Sequence, residues 1–208
     1  MISALKSQAS PAPFSTLECV VAHLWRCITR ARSRLDDDYT SLRIAVDGRG
    51  CCCTRGGGRV PVGYCGNAVL WAWPTTTARQ LLGSPLGLVC GAVAGINDAY
   101  FQSFVDFASS GSVQREGLVP TAPDPSAIEV HSMLGMPFYD LDFGGGPPVY
   151  VVVNTGSYTK REGVVVIMPS RSGDDGGVDA HVSLFRRHVH VFNNCCYGAA
   201  MGPNAARL

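Results

Sequence analysis

A chain of 208 residues with 46% hydrophobic content is long enough to bury one core, as a single domain or as half of a larger pseudo-symmetric protein. Seventeen Lys and Arg against sixteen Asp and Glu leave a net charge of +1, so the overall balance carries no footprint for nucleic acid or an anionic membrane surface. No apolar run approaches the ~18 residues of a membrane span, and Met1–Pro13, with one Lys and no apolar core, does not read as a secretory signal. The expectation is a soluble cytoplasmic protein with neither nucleic acid nor membrane among its partners.

Nine cysteines in such a chain point to reduced thiols rather than a disulfide framework. Cys51, Cys52 and Cys53 are consecutive and Cys195 and Cys196 adjacent, unlike the pairs about two to four residues apart that hold zinc. No metal is expected. Cys19 and Cys27 fall on a helical pattern as small buried hydrophobes.

Residues 1–13 are expected to be disordered. Leu17, Val20, Val21, Leu24, Cys27, Ile28 and Ala31 then mark one face of a helix. Ser15 or Thr16 caps it, and Glu18 sits in the first turn, where the helix dipole favours an acid. Leu42, Ile44 and Val46 alternate as a half-buried strand. The Gly-rich stretch 48–63 predicts a long mobile loop, with Arg49, Arg55 and Arg59 either solvated or meeting a phosphate. Asn67–Trp73 predicts a strand ended by Pro74, and Thr75–Leu82 a short helix. Val93, Ile96, Tyr100, Phe101, Phe104, Val105 and Ala108 have helical spacing, weakened at its start by Gly91 and Gly95. A Gly/Pro/Ser loop over Ser109–Pro125 leads to a strand around Ile128–Ser132. The runs Val149–Asn154 and Val164–Met168 predict a hairpin. Val178, Val182, Phe185, Val189 and Phe192 predict a last helix with His181, His188 and His190 on its surface. Residues 198–208 read as a disordered tail.

The stretch Glu129–Pro148, with Asp142-Phe143-Gly144-Gly145-Gly146 inside it, resembles the Asp-Phe-Gly-Trp-Gly signature of plant BAHD acyltransferases and its upstream strand. Three other stretches occur in that family's order: Ser15–Glu18 through Ala22–Cys27, Val46-Asp47-Gly48-Arg49, and Gly63-Tyr64-Cys65-Gly66-Asn67. Residues 14–197 therefore resemble the C-terminal half of a hydroxycinnamoyltransferase-like enzyme. The resemblance implies an α/β fold, a mixed sheet with packed helices, forming one half of a chloramphenicol acetyltransferase-like two-domain architecture. It further implies acyl-CoA as co-substrate and a small-molecule hydroxyl or amine acceptor. The family's His-x-x-x-Asp motif belongs to the other half, and none of His23, His131, His181, His188 or His190 has Asp four positions on. No catalytic residue is expected in this chain, which is read as inactive alone. The alternative is a non-catalytic remnant or interaction module. An isolated half, deprived of its N-terminal partner, would expose apolar surface and self-associate.

Site assignments follow from the same resemblance. Ser15 and Thr16 fall where relatives approach the phosphates of coenzyme A, a plain N-cap being the alternative. Tyr64 and Asn67 fall on the substrate channel, or are buried without ligand contact. Ser132, Met133 and Gly135 fall on the acceptor side. Gly135 occupies the position where some relatives that acylate shikimate or quinate carry an Arg for the acceptor carboxylate, so an amine or neutral alcohol is the better fit. Arg49, Asp142, Gly144 and Gly146 form a structural motif with an implied Asp142–Arg49 ion pair, or an ordinary Gly-rich turn. Gly145 stands where relatives have Trp.

Overall fold

The computed structural model describes residues 5–6, 14–33, 36–49, 60–83, 85–111, 126–153, 162–171 and 177–197. Its first helix, α1 (Thr16–Ala31), buries the predicted apolar face, with Trp25 and Ile28 wholly inaccessible. The sheet beneath it is built on β1 (Tyr39–Asp47), which pairs antiparallel with β2 (Val69–Ala72) and, at its other end, with β3 (Thr75–Thr77). On its far side β1 runs parallel to β4 (Ile128–Ser132), β4 parallel to β5 (Val164–Pro169), and β5 antiparallel to β6 (Val178–Val182). The strand order is β2-β1-β4-β5-β6, with β3 off that path. This is the mixed α/β sheet that the sequence led us to expect.

Side-chain alternation sorts the sheet into two faces. Leu42, Ile44, Ile128, Val130, Val165 and Ile167 join α1 in the main core. The intervening Val164, Val166 and Met168 form a second, smaller core covered by Met133, Phe138, Val151 and Val153. Strand β5 is thus buried on both faces, which explains its unbroken apolar run. Helix α2 (Ala78–Gly83) follows β3, and α3 (Pro85–Gly95) and the last helix α5 (Arg186–Tyr197) both pack against α1. Helix α4 (Asp98–Ser109) completes the described elements. No described helix is long and apolar enough to cross a membrane.

Four expectations are corrected. Thr75–Thr77 is strand before it is helix, because its backbone pairs with Tyr39–Ser41. The single helix expected through Val93–Ala108 breaks at Ile96–Asn97, where the Asn97 side chain accepts from the Tyr100 amide and caps a new helix. Val149–Val153 lies over the second core without joining the sheet. The expected helix from Val178 begins only at Arg186. A spacing of four residues fits a strand as well as a helix, and the free edge of β5 takes Val178–Val182 as β6. His181 is therefore on a strand. The expected termini 1–13 and 198–208, most of loop 48–63 with Arg55 and Arg59, Cys51–Cys53 and the turn of the expected hairpin lie largely outside the described residues.

Candidate functional site

An open trough of about 1330 Å³ lies between β2 and helices α3 and α4. Its walls are apolar and aromatic, including Trp71, Trp73, Tyr100, Phe101 and Phe104, and both Tyr64 and Asn67 line it. That volume exceeds a usual ligand pocket, on the order of 300–1,000 Å³. Gly48 is fixed here by close approach, since a Cβ at this position would run into the Phe101 ring. Ser132, Met133 and Gly135 lie elsewhere, at the C-terminal end of β4. Met133 donates its amide to the Ile167 carbonyl at 2.7 Å and packs on the second core, while Gly135 is exposed in the following turn. Tyr64 and Asn67 are thus brought to one cavity that Ser132, Met133 and Gly135 do not line.

Beside the trough, the face of the sheet opposite the main core carries a charged group that the sequence analysis does not single out. Arg43 stacks its guanidinium 3.9 Å from the Trp71 ring centre and reaches Glu129 at 3.2 Å. His131 donates Nε2–H to the other Glu129 oxygen at 2.8 Å and meets Trp71 edge-on. The signal was legible: Glu129 and His131 alternate with buried Ile128 and Val130, so they had to share the opposite face.

The Asp142–Arg49 pair implied by the resemblance is not formed. Arg49 instead grips Asp47, two residues back, with Nη2 at 2.8 Å and Nε at 3.0 Å. That guanidinium, outweighing burial, holds the Asp47 carboxyl below the usual carboxylate range. Asp142 Oδ1 accepts from the amides of Gly144 at 2.7 Å and Gly146 at 2.9 Å. Gly144 (φ +96°) and Gly146 (φ +93°) are both left-handed, a conformation that favours glycine. The motif is a turn held by its own aspartate, with Gly145 exposed where a Trp ring would sit in relatives.

At the start of α1, Ser15 is a full capping box: its hydroxyl accepts from the Glu18 amide at 3.2 Å, and its own amide and hydroxyl both donate to the Glu18 carboxylate at 2.7 Å. Burial pushes the Glu18 carboxyl up, but the two Ser15 bonds prevail and hold it low. A phosphate at Ser15 would have to displace this carboxylate. Ser15→Ala is expected to cost about 1 kcal/mol, read as a shifted urea midpoint with an unchanged slope.

The structure also joins residues far apart in sequence. His23 Nε2 faces the Cys196 carbonyl at 3.2 Å across 173 residues and lies 3.6 Å from Cys27 Sγ. Cys27 is buried as expected, yet its thiol belongs to a cluster with His23 and Cys196 rather than to plain packing. The bond from Cys27 lowers the Cys196 thiol and correspondingly raises that of Cys27. His188, expected on the surface, is drawn in to Glu162 at 2.6 Å.

The family model described as Transferase family matches residues 3–197. The chain belongs to this family, the BAHD acyltransferases. It is 50% identical to agmatine coumaroyltransferase-1 of Hordeum vulgare over 94% of this chain and 46% of that protein. Putrescine hydroxycinnamoyltransferase of Oryza sativa subsp. japonica is 45% identical over 94% of this chain and 43% of its own length. Among solved structures, vinorine synthase superposes with a TM-score of 0.66 at 22% identity, covering 91% of this chain and 43% of that one. TRI101 of F. sporotrichioides, solved with coenzyme A and T-2, gives a TM-score of 0.66 at 24% identity, covering 91% and 45%. These two structures establish the BAHD-like fold. The chain spans less than half the length of the relatives it matches.

Proposed function

We propose that this chain is the C-terminal portion of an acyl-CoA-dependent N-acyltransferase that moves a hydroxycinnamoyl-type group onto an amine. The observation that carries this reading is the similarity, over 94% of the chain, to proteins named for agmatine and putrescine. Gly135, which offers no cation to an acceptor carboxylate, agrees with an amine acceptor. The aromatic walls of the trough suit a flat acyl group once a second surface covers it. In the reaction the neutral amine nitrogen attacks the thioester carbonyl, the C–N bond forms, the C–S bond breaks, and coenzyme A leaves as a thiol after taking up a proton. The base that receives the amine proton is assigned to the part of the longer relatives that this chain does not cover, since no His-x-x-x-Asp occurs in these 208 residues. Ser15 and Thr16 as coenzyme A contacts, and the cytoplasmic location, stay with this proposal.

The chain alone is expected to release no coenzyme A from coumaroyl-CoA with agmatine or putrescine. Fused behind the N-terminal portion of the Hordeum vulgare relative, it is expected to form the amide, and to stop when the His of the added motif is replaced. The second reading, a non-catalytic remnant, is favoured by the exposed Gly145 and the unformed Asp142–Arg49 pair. A well-folded but inactive fusion would establish that reading instead.

A further inference from the structure

We propose that His23, Cys27 and Cys196 form a binding site for one thiophilic divalent metal ion of the zinc class, clipping α1 to α5. His23 and Cys27 are four residues apart and so share one face of α1. That face packs on α5, whose last turn brings Cys196 to them. The three donor atoms all lie within 4.8 Å of one another, and Cys27 Sγ is 3.6 Å from His23 Nε2. A tetrahedral zinc with Zn–S of about 2.3 Å and Zn–N of about 2.0–2.1 Å needs donors on the order of 3.5–3.8 Å apart, so small rotamer changes complete the set.

The surroundings suit an ion held by thiolates. Cys27 and Cys196 are 2% and 6% exposed, which keeps competing water and oxidants away. A cavity of about 200 Å³ lined by His23 and Cys196 abuts the cluster and leaves space for a fourth ligand. Coordination through Nε2 moves the imidazole proton to Nδ1 and releases the contact with the Cys196 carbonyl; the half-exposed Arg26, 3.5 Å from Nδ1, swings aside. Because Cys196 comes from the far end of the chain, only the folded chain presents all three donors, and metal binding would stabilise the fold.

The test is a cobalt(II) titration of the reduced full chain, with Cys51, Cys52 and Cys53 replaced by Ser so that those thiols do not compete. We expect thiolate-to-cobalt charge-transfer bands and tetrahedral d–d bands that saturate at one equivalent and are bleached by zinc. His23→Gln and Cys196→Ser should each abolish saturation at one equivalent, Cys195→Ser should keep it, and zinc should raise Tm in the parent but not in His23→Gln. Circular dichroism identifies variants that fold, and the more exposed His23 position covers the case in which Cys196→Ser does not. No bands in the parent, bands unchanged in His23→Gln, or a Cys27–Cys196 disulfide that persists under reduction would overturn the assignment.

Discussion

Trp25→Ala is expected to destabilise the chain by about 3–5 kcal/mol, a large share of the stability of an ordinary domain, about 5–15 kcal/mol. Trp25 is wholly buried at the centre of the main core, where α1 meets β1, β4 and β5. Its indole Nε1–H donates to Thr40 Oγ1 at 3.0 Å, and Thr40 in turn shares a 3.1 Å hydroxyl bond with Thr29. Truncation opens a cavity and leaves buried hydroxyls short of a donor. Trp25→Phe keeps much of the volume and loses the bond, for a smaller cost on the order of 1–2 kcal/mol. Urea unfolding followed by circular dichroism separates the two, and equal costs would contradict this account of the core.

Glu162→Ala is expected to cost about 3–5 kcal/mol at neutral pH. Glu162 ties three segments together: Arg32 at the end of α1 lies at 3.3 Å, the Phe185 amide donates at 3.0 Å just before α5, and the His188 ring donates at 2.6 Å. Arg32 is nearly buried and also donates to the Ser126 carbonyl at 2.7 Å, so losing Glu162 takes a carboxylate away from a nearly buried cation. Gly163 is required next to it, since φ is +94° and a Cβ would strike Arg32. Burial pushes the Glu162 carboxyl up, but the bonds from His188 and Phe185 and the charge of Arg32 outweigh it, leaving a net lowering. A carboxyl lowered on folding contributes stability above its unfolded value, about 4.3, and loses it as pH falls through the folded value. The chain should therefore weaken in the acid range, and Glu162→Gln should flatten that dependence while costing less than Glu162→Ala. Urea midpoints at pH 7 and at steps down to pH 3 give the comparison; an unchanged acid slope in Glu162→Gln would contradict it.

Local, one-sided burial made much of the fold legible. Helix α1 shows its buried face at every turn, and Ile128–Ser132 is a strand in the structure as it is in the pattern. Where a pattern satisfies two periods, the tertiary neighbour decides, as the edge of β5 does for Val178 and Val182. The break before α4 did carry a signal, since Asn97-Asp98 is a helix start. For the candidate site, Tyr64 and Asn67 line the trough, and Gly144 and Gly146 sit in a left-handed turn, the alternative that the sequence left open for this motif. The partners of Asp142 and Arg49 were not legible, because short-range bonds to Gly144, Gly146 and Asp47 took them first. Nor was the joining of His23 to Cys196, which depends on the packing of the first helix on the last.

If the chain is a C-terminal portion, as proposed, the apolar trough on which Phe104, Val105 and Trp73 are exposed among the described residues is the surface that another portion would cover. Sedimentation velocity tests it most directly, on the chain alone and mixed with the N-terminal portion of the Hordeum vulgare relative. The expected result is self-association of the chain alone, replaced by a one-to-one complex when the other portion is added. A monodisperse monomer that ignores the added portion would contradict it.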